Sequence, residues 1–234
     1  MRLDASFAPA VVECLAAERT QAIIYTAHRA ADRAVAVDGA QAAASAAAAL
    51  GARFLYISTD QVFDGERAPY AETAPAQPLL PHGRLKLEAE VMVKDSCPGA
   101  VILRSSLLVG ISGDRVYPPY EGYQLSAGLP VDAYADEWRT PVLADDVAHA
   151  AWDLVLGEVS GTFHVGGPER LSRHEMAMKL CAILGYDAGL VRPAQRPTDR
   201  PKDTSLDARR LTGLLGWSPR AITNFKAGVD LARV

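Results

Sequence analysis

Short apolar runs alternate with longer stretches of helical periodicity along most of the chain. The apolar runs are rich in β-branched and aromatic residues, which is typical of buried strands. They predict strands over residues 21–26, 54–58, 100–104 and 161–165, and a last short strand over 190–193. Because single helical stretches separate most of these strands, the pattern indicates βαβ units and a parallel sheet, which makes this an α/β protein.

The helical stretches are bounded by recognisable start and stop signals. We predict helices over residues 34–50, 81–93, 145–156, 176–184 and 207–215. The first is rich in alanine and ends at Gly51, where a left-handed C-cap is expected. Ser172 and Glu175 have the spacing of a capping box. Asp145 or Asp146 is expected to cap the helix that begins there.

Two stretches, 61–81 and 112–140, do not follow this alternation. Both are rich in Pro, Gly and Tyr and show no clear period. Long irregular segments of compact domains are usually functional or disordered. Ligands of open parallel sheets bind at the carboxyl ends of the strands. We therefore expect the two segments to lie beside that edge and to form a substrate lid.

Composition excludes several classes of protein. The 234 residues are 49% hydrophobic and 22% charged, an ordinary globular balance, and the net charge of -4 disfavours nucleic-acid binding. No run approaches the ~18 apolar residues of a membrane span, and the first ten residues lack the apolar core of a secretory signal. Cys14, Cys97 and Cys181 are far apart, so we expect no metal site or disulfide framework and a reducing, cytoplasmic compartment.

The most informative chemistry lies between Phe54 and Glu90. A predicted strand ends in the sequence STD at 58–60, and VFDG follows at 62–65. Further along, the sequence HGRLK at 82–86 begins a helix. This order sets a strand-end hydroxyl beside the first turn of a helix that carries a cation. Such a pair can polarise a carbonyl or hydroxyl group placed between them.

These motifs, in this order, resemble the dTDP-4-dehydrorhamnose reductase branch of the extended short-chain dehydrogenase/reductase family. The shared elements of the first half are STD, VFDG, Pro69-Tyr70, Glu72, Pro78, Gly83, Lys86-Leu87 and Glu90. Those of the second half are ILR at 102–104, Gly110, DEWRTP at 136–141, ADDVA at 144–148, GTFHV at 161–165, GPE at 167–169, Arg200-Pro201 and SLD at 205–207. The resemblance spans nearly the whole chain, and several motifs in fixed order make it specific.

The resemblance implies a doubly wound parallel sheet of the Rossmann type with a small C-terminal substrate lobe. The sheet core is assigned to residues 1–111 and 142–165, and the substrate-binding lobe to 112–141 and 166–234. The family reduces a keto group on a nucleotide sugar with NADP or NAD. By the same resemblance, this chain binds a nucleotide sugar.

The resemblance also assigns roles to individual residues. Thr59 is the hydroxyl that orients the carbonyl, and Lys86 lowers the pKa of the proton donor and holds the nicotinamide ribose. Residues expected at the cofactor are Thr26, Ala27, His28, Ser58 and Lys86. Residues expected at the substrate are Tyr120, Trp138 and Arg139, although Trp138 could equally be lobe core and Arg139 a surface salt bridge.

The sequence departs from the family pattern in two places. His82 stands where the family has its catalytic Tyr. A histidine can protonate an alkoxide near neutral pH, so His82 is either a working acid or simply a helix-start residue. The family's first strand and its G-x-x-G-x-x-G turn have no counterpart, because the chain joins the pattern only near Asp4. We therefore expect an N-terminally truncated, partial Rossmann sheet with the 21–26 strand at its edge.

Three functions remain open on this basis. The main one is reduction of a 4-keto sugar nucleotide with NAD(P)H. The second is a non-catalytic role in which the fold binds a partner protein, as in the regulatory subunit of methionine adenosyltransferase, or a second copy of itself. The third is nucleotide-sugar epimerisation or dehydration on the same scaffold, which the STD and VFDG motifs and the short C-terminal lobe disfavour.

Overall fold

The computed structural model describes residues 12–15, 20–27, 32–112, 115–117 and 119–224; side chains of 111–120 are not among the described parts. The strands are β1 (Ala22–Tyr25), β2 (Arg53–Thr59), β3 (Val101–Ser105), β4 (Leu108–Ser112), β5 (Arg115–Tyr117), β6 (Val131–Tyr134), β7 (Trp138–Arg139), β8 (Val142–Leu143), β9 (Gly161–Val165), β10 (Leu171–Ser172) and β11 (Val191–Ala194). The helices are α1 (Gly39–Leu50), α2 (Pro81–Ser96), α3 (Pro119–Ser126), α4 (Ala144–Leu156), α5 (Arg173–Leu184) and α6 (Arg209–Leu215).

A parallel sheet with strand order β1-β2-β3-β9 forms the centre of the molecule, as the alternation of strands and helices predicts. Successive side chains of a strand point to opposite faces of the sheet. In β2, Phe54 and Tyr56 therefore pack with α1 and α2, whereas Leu55 packs with α4 on the other face. The sheet is thus covered on both sides, the doubly wound arrangement. Within the described residues, β1 lies at the edge of the sheet.

The helix signals are confirmed with small differences. Gly51, at φ 66°, caps α1, and the first predicted residues of that helix are wound as a π-helix over Ala34–Asp38. The capping box of Ser172 and Glu175 is present, and it starts α5 at Arg173 rather than at Met176. The prediction of a side-chain cap on α4 is wrong. Leu143 is the N-cap there, and Asp146 instead accepts hydrogen bonds from Arg220.

The segment 112–140 was expected to be irregular, and that expectation is wrong. It contains β5, α3, β6 and β7. An eight-residue helix and strands of two to four residues are too short to produce a detectable period. Strand β6 pairs in parallel with β11, and β7 pairs antiparallel with β10. We refer to these two pairs as the smaller layer; Arg139 of β7 contacts Asp60, just past the carboxyl end of β2.

The segment 61–81 is largely without regular structure, as expected. It is fastened to the rest of the chain by a bridge between Tyr70 and Leu206, and within the segment the Tyr70 hydroxyl donates to Asp64. Leu211 of α6 packs in the core beneath the central sheet. Part of the range assigned to the lobe therefore contacts the sheet core, and the division into core and lobe remains a prediction. No helix of the described ranges is long and apolar enough to cross a membrane.

Candidate active site at the carboxyl end of the sheet

Strand β2 ends at Thr59, and the backbone then turns sharply over Asp60–Val62. The Thr59 hydroxyl accepts a hydrogen bond from the backbone N–H of Gln61 and donates one to Asp60 Oδ1, both at 3.3 Å. A local bond of this kind is the usual way in which a threonine terminates a strand and starts a turn. It places a hydroxyl group at the carboxyl end of a central strand, where ligands of such sheets bind.

Helix α2 is docked directly against this turn, and Gly83 makes the contact. A Cβ atom on Gly83 would lie 2.0 Å from the carbonyl oxygen of Gln61 and 2.9 Å from the Cβ of Pro78. Only a residue without a side chain allows so close an approach. The helix begins at Pro81, whose fixed φ suits the first turn. His82 is consequently part of the helical turn that faces the residues after Thr59.

Lys86 lies one turn further along α2. Its Nζ atom donates to the carbonyl oxygen of Ile57 at 2.8 Å and stands 4.7 Å from the centroid of the Tyr56 ring. The residue is only 6% exposed. Burial disfavours the charged form and lowers the pKa of Lys86 to about 8, while the nearby Glu90 opposes this. The first turn of α2, to which His82 belongs, thus lies against the turn after Thr59, and Lys86 reaches the carboxyl end of β2.

Beneath this group, Ser58, Glu90 and Arg104 form a buried network. The Ser58 hydroxyl donates to Glu90 Oε1 at 2.6 Å, and Arg104 forms a bidentate pair with the same carboxylate at 2.9 and 2.7 Å. All three side chains are buried. Arg104 therefore pairs with a buried carboxylate of this chain. Ser58 faces this network, and its role in cofactor binding remains a prediction.

A second buried network surrounds Asp60, which is 1% exposed. Besides Thr59, it accepts hydrogen bonds from Ser106 at 3.0 Å, from Arg139 at 2.8 Å and from Thr204 at 3.3 Å. Burial raises the pKa of the Asp60 carboxyl, and the Arg139 guanidinium and the three hydroxyls oppose that rise. Asp60 thus joins the end of β2, the segment after β3, strand β7 and the segment before α6.

Arg139 continues the network into the smaller layer. Its second guanidinium nitrogen donates to Glu137 at 3.3 Å, and Glu137 also forms a bidentate pair with Arg200 at 2.7 and 3.0 Å. The sequence allowed Arg139 to form a surface salt bridge. The salt bridge exists, but it is buried. Both of its partners are carboxylates of this chain, so any role of Arg139 at a substrate remains a prediction.

Arg200 also lines an open cleft of about 460 Å³ in the smaller layer. The other lining residues are Glu121, Asp132, Ala133, Tyr134 and Arg173. Arg173 donates to Glu121, and the Arg200 guanidinium lies 5.4 Å from the Tyr134 ring centroid. Two guanidinium groups and an aromatic ring suit a ligand that combines phosphate with a planar or sugar ring.

The remaining predicted site residues fall in several places. Thr26 and Ala27 follow β1 at the same edge of the sheet, with Thr26 exposed and Ala27 half-buried. His28 lies outside the described residues, as does the side chain of Tyr120, whose backbone belongs to α3. Trp138 is half-buried, with the Arg170 guanidinium 4.6 Å from its ring centroid. The structure tests none of these binding roles.

His164 is a core histidine. It is fully buried in β9, and its Nδ1 atom lies 3.0 Å from the carbonyl oxygen of Tyr70. Burial lowers its pKa to about 3, and the Arg104 charge contributes in the same direction. His164 is therefore neutral at ordinary pH.

Sequence reasoning missed Glu137 and the cleft residues Glu121 and Arg173 as parts of a site. Glu137 stands inside the DEWRTP motif, and Arg200 begins the Arg200-Pro201 motif. The available sequence signal was that Glu137 and Arg200 carry opposite charges and lie in motifs shared with the family. The pairing itself depends on the strand partners of β7, which no local pattern indicates.

These features define a Rossmann-type α/β protein. They are the doubly wound parallel sheet, the hydroxyl and lysine at the carboxyl end of its strands, and the smaller layer. The chain belongs to the RmlD substrate binding domain family, whose model matches residues 3–229. The resemblance to dTDP-4-dehydrorhamnose reductases is thereby confirmed.

Two curated relatives have names that describe different kinds of protein, a reductase and an enzyme subunit. The probable low-salt glycan biosynthesis reductase Agl14 of Haloferax volcanii is 34% identical over 189 residues, which cover 76% of this chain and 63% of the relative. Methionine adenosyltransferase 2 subunit beta of Bos taurus is 33% identical over 238 aligned residues, which cover 95% of this chain and 69% of the relative. The chain thus spans less than two thirds of the first relative's length.

A solved structure supports the fold. It is that of dTDP-4-dehydrorhamnose reductase from Bacillus anthracis in complex with NADP, with a TM-score of 0.83 at 24% identity. The match covers 94% of this chain and 83% of that one.

Proposed function

We propose that this protein binds a nucleotide sugar in the cleft of the smaller layer and reduces a keto group on it with NADPH or NADH. Thr59, His82 and Lys86 act on the carbonyl in this proposal. The observation that carries it is the close contact between Gly83 and Gln61, which holds the first turns of α2 against the turn that follows Thr59.

The residues present fit the nicotinamide end of such a cofactor. A lysine ammonium has three N–H donors, and the bond to the carbonyl oxygen of Ile57 uses one of them. In the proposal, Lys86 holds the ribose hydroxyls, and Thr26 and Ala27 follow the neighbouring strand at the same edge. When bound, the cofactor would supply a hydride to the carbonyl carbon.

Thr59 and His82 would handle the carbonyl oxygen. The Thr59 hydroxyl, which now donates to Asp60 over a long 3.3 Å, can turn to donate to a substrate carbonyl. His82 would give the proton that the developing alkoxide needs, in the role that the family's tyrosine fills. The buried Lys86 cation lies on the same helix face one turn away and would favour the negative charge that develops on the oxygen.

Binding and turnover can be tested separately. Titration with dTDP by calorimetry tests the cleft: the wild type should bind, and Arg200→Gln should weaken binding by about tenfold through loss of one charge-assisted pair. NADPH oxidation with a dTDP-4-keto-6-deoxy sugar tests the chemistry. We expect Thr59→Val and Lys86→Met each to lower the rate by at least about 100-fold, with Arg220→Gln as a control remote from the site. A wild type that binds dTDP but never oxidises NADPH would refute the catalytic part.

A second function is favoured by one relative. Identity to methionine adenosyltransferase 2 subunit beta extends over 95% of this chain, and its name describes a subunit of a larger assembly. On this alternative, the chain binds a methionine adenosyltransferase and need not turn over a sugar. Analytical ultracentrifugation of the two purified proteins decides: a shared sedimenting species supports the alternative, and independent sedimentation removes it.

A further inference from the structure

We propose that Asp60 is the positioning residue of this site, and that the buried chain Asp60–Arg139–Glu137–Arg200 couples occupation of the cleft to the placement of the Thr59 hydroxyl. Only the part that concerns ligand occupation rests on the proposed function. The coupling itself is a property of the free protein and can be tested without a ligand.

Asp60 holds Thr59 from two directions. It is the next residue in the chain, and its Oδ1 atom accepts from the Thr59 hydroxyl. The same oxygen accepts from Arg139, while Oδ2 accepts from Ser106 and Thr204. A rotation of the carboxylate that kept its bond to Arg139 would therefore shift the acceptor that orients Thr59.

The other end of the chain reaches the cleft. Arg139 is fastened by two carboxylates, Asp60 and Glu137, and its Nε atom is buried with no acceptor among the described residues. Glu137, which is 1% exposed, is held by Arg139 on one side and by Arg200 on the other. Arg200 has 27% of its side chain exposed and lines the cleft.

The energetics favour concerted movement. Removing one partner of a buried ion pair strands the other charge, which typically costs about 3–5 kcal/mol. Glu137 and Arg139 each have two partners, so a charge that loses its hold on one of them is drawn more strongly to the other. A phosphate that draws the Arg200 guanidinium toward the cleft weakens its hold on Glu137, and the compensation falls on Arg139 and then on Asp60.

The first experiment perturbs the cleft end of the free protein. Thr59 is observed by its ¹³C-labelled methyl group in NMR spectra of Arg200→Gln, assigned with Thr59→Ser. The matched control is Arg220→Gln, which also removes two charge-assisted hydrogen bonds, here to the Oδ1 atom of Asp146 on α4. We expect Arg200→Gln to displace the Thr59 signal by more than its linewidth and Arg220→Gln to leave it in place. Equal effects from the two variants would overturn the coupling.

The second experiment adds dTDP as the probe. In the wild type, saturation should shift the Thr59 signal, and Asp60→Asn or Glu137→Gln should reduce that shift at least threefold with dTDP still bound. Two variants are used so that a folding failure of one leaves the other. Binding without any shift of Thr59 in the wild type overturns the coupling. If dTDP does not bind, the proposed cleft function fails, and the Arg200→Gln result alone decides the coupling.

If the protein turns over, a third readout separates positioning from simple stability. Glu137→Gln should lower kcat by about 10–100-fold, since small misplacements of a reacting group cost about that much, with KM changed less than threefold. A rise in KM with kcat unchanged would show that Glu137 serves binding and not the placement of Thr59.

Discussion

Replacement of Gly83 by alanine tests the contact that holds α2 against the turn after Thr59. At an exposed helical position, Gly→Ala stabilises a protein by about 1 kcal/mol because alanine has the higher helix propensity. At Gly83 the added Cβ would lie 2.0 Å from the Gln61 carbonyl oxygen and 2.8 Å from its carbon, and both are backbone atoms. Contacts of 3.4–4 Å are ordinary, so the helix and the turn must separate by more than 1 Å. Overpacking of this kind costs about 1–3 kcal/mol, or more where backbone must move.

Gly213 provides the matched control. It lies within α6 and is exposed, and a Cβ atom there would meet nothing within 4 Å. In urea unfolding monitored by circular dichroism, we expect Gly213→Ala to raise the free energy of unfolding by up to about 1 kcal/mol and Gly83→Ala to lower it by about 2 kcal/mol or more. Equal free energies of unfolding for the two variants would refute the docking of α2 on the Thr59 turn.

Three further predictions concern buried charges. Glu90→Gln strands the Arg104 cation and should lower the free energy of unfolding by about 3–5 kcal/mol, whereas Glu90→Leu combined with Arg104→Met should cost clearly less in the same urea assay; equal costs would contradict a buried pair. The pKa of Lys86 is about 8 in the folded protein against 10.5 when unfolded, so the unfolded chain binds the extra proton between these values. Stability relative to Lys86→Met should therefore rise from about pH 8 to 10.5, and a flat difference would contradict the burial. The pKa of His164 is about 3 in the folded protein against 6.5 when unfolded. The stability that its neutral ring contributes is therefore fully present above pH 6.5 and is lost as the pH falls toward 3. ¹⁵N spectra should show a neutral ring with the proton on Nδ1 at pH 5, and a charged ring there would refute the assignment.

The central sheet could be predicted from the sequence because its signals are local. The strand Phe54 to Ser58 is a continuous apolar run, and such runs are typical of strands covered on both faces. Gly51 and the pair Ser172 and Glu175 mark helix ends through their own backbone chemistry. Helix α3 was missed because eight residues between prolines and glycines give no clear period.

The site was predictable only as far as its motifs were contiguous. Thr59 and Lys86 were assigned by the family resemblance, from a strand-end motif and a helix-start motif that lie within one supersecondary unit. The partner of Arg139 was not, because Asp60 and Arg139 are 79 positions apart and meet only once β7 is placed. Tertiary pairing of this kind follows from topology, which neither hydrophobic periodicity nor residue type specifies.

We propose that NADPH or NADH held by this chain delivers hydride to a keto sugar nucleotide while Thr59 orients the carbonyl. This proposal is tested most directly by incubating the protein with NADPH deuterated at the transferred position and a dTDP-4-keto-6-deoxy sugar, followed by mass spectrometry of the sugar. We expect a reduced sugar that carries one deuterium in the wild-type reaction, and labelling at least about 100-fold slower with Thr59→Val. A sugar recovered unreduced by a wild-type protein that binds dTDP, or equal labelling by Thr59→Val, would contradict it.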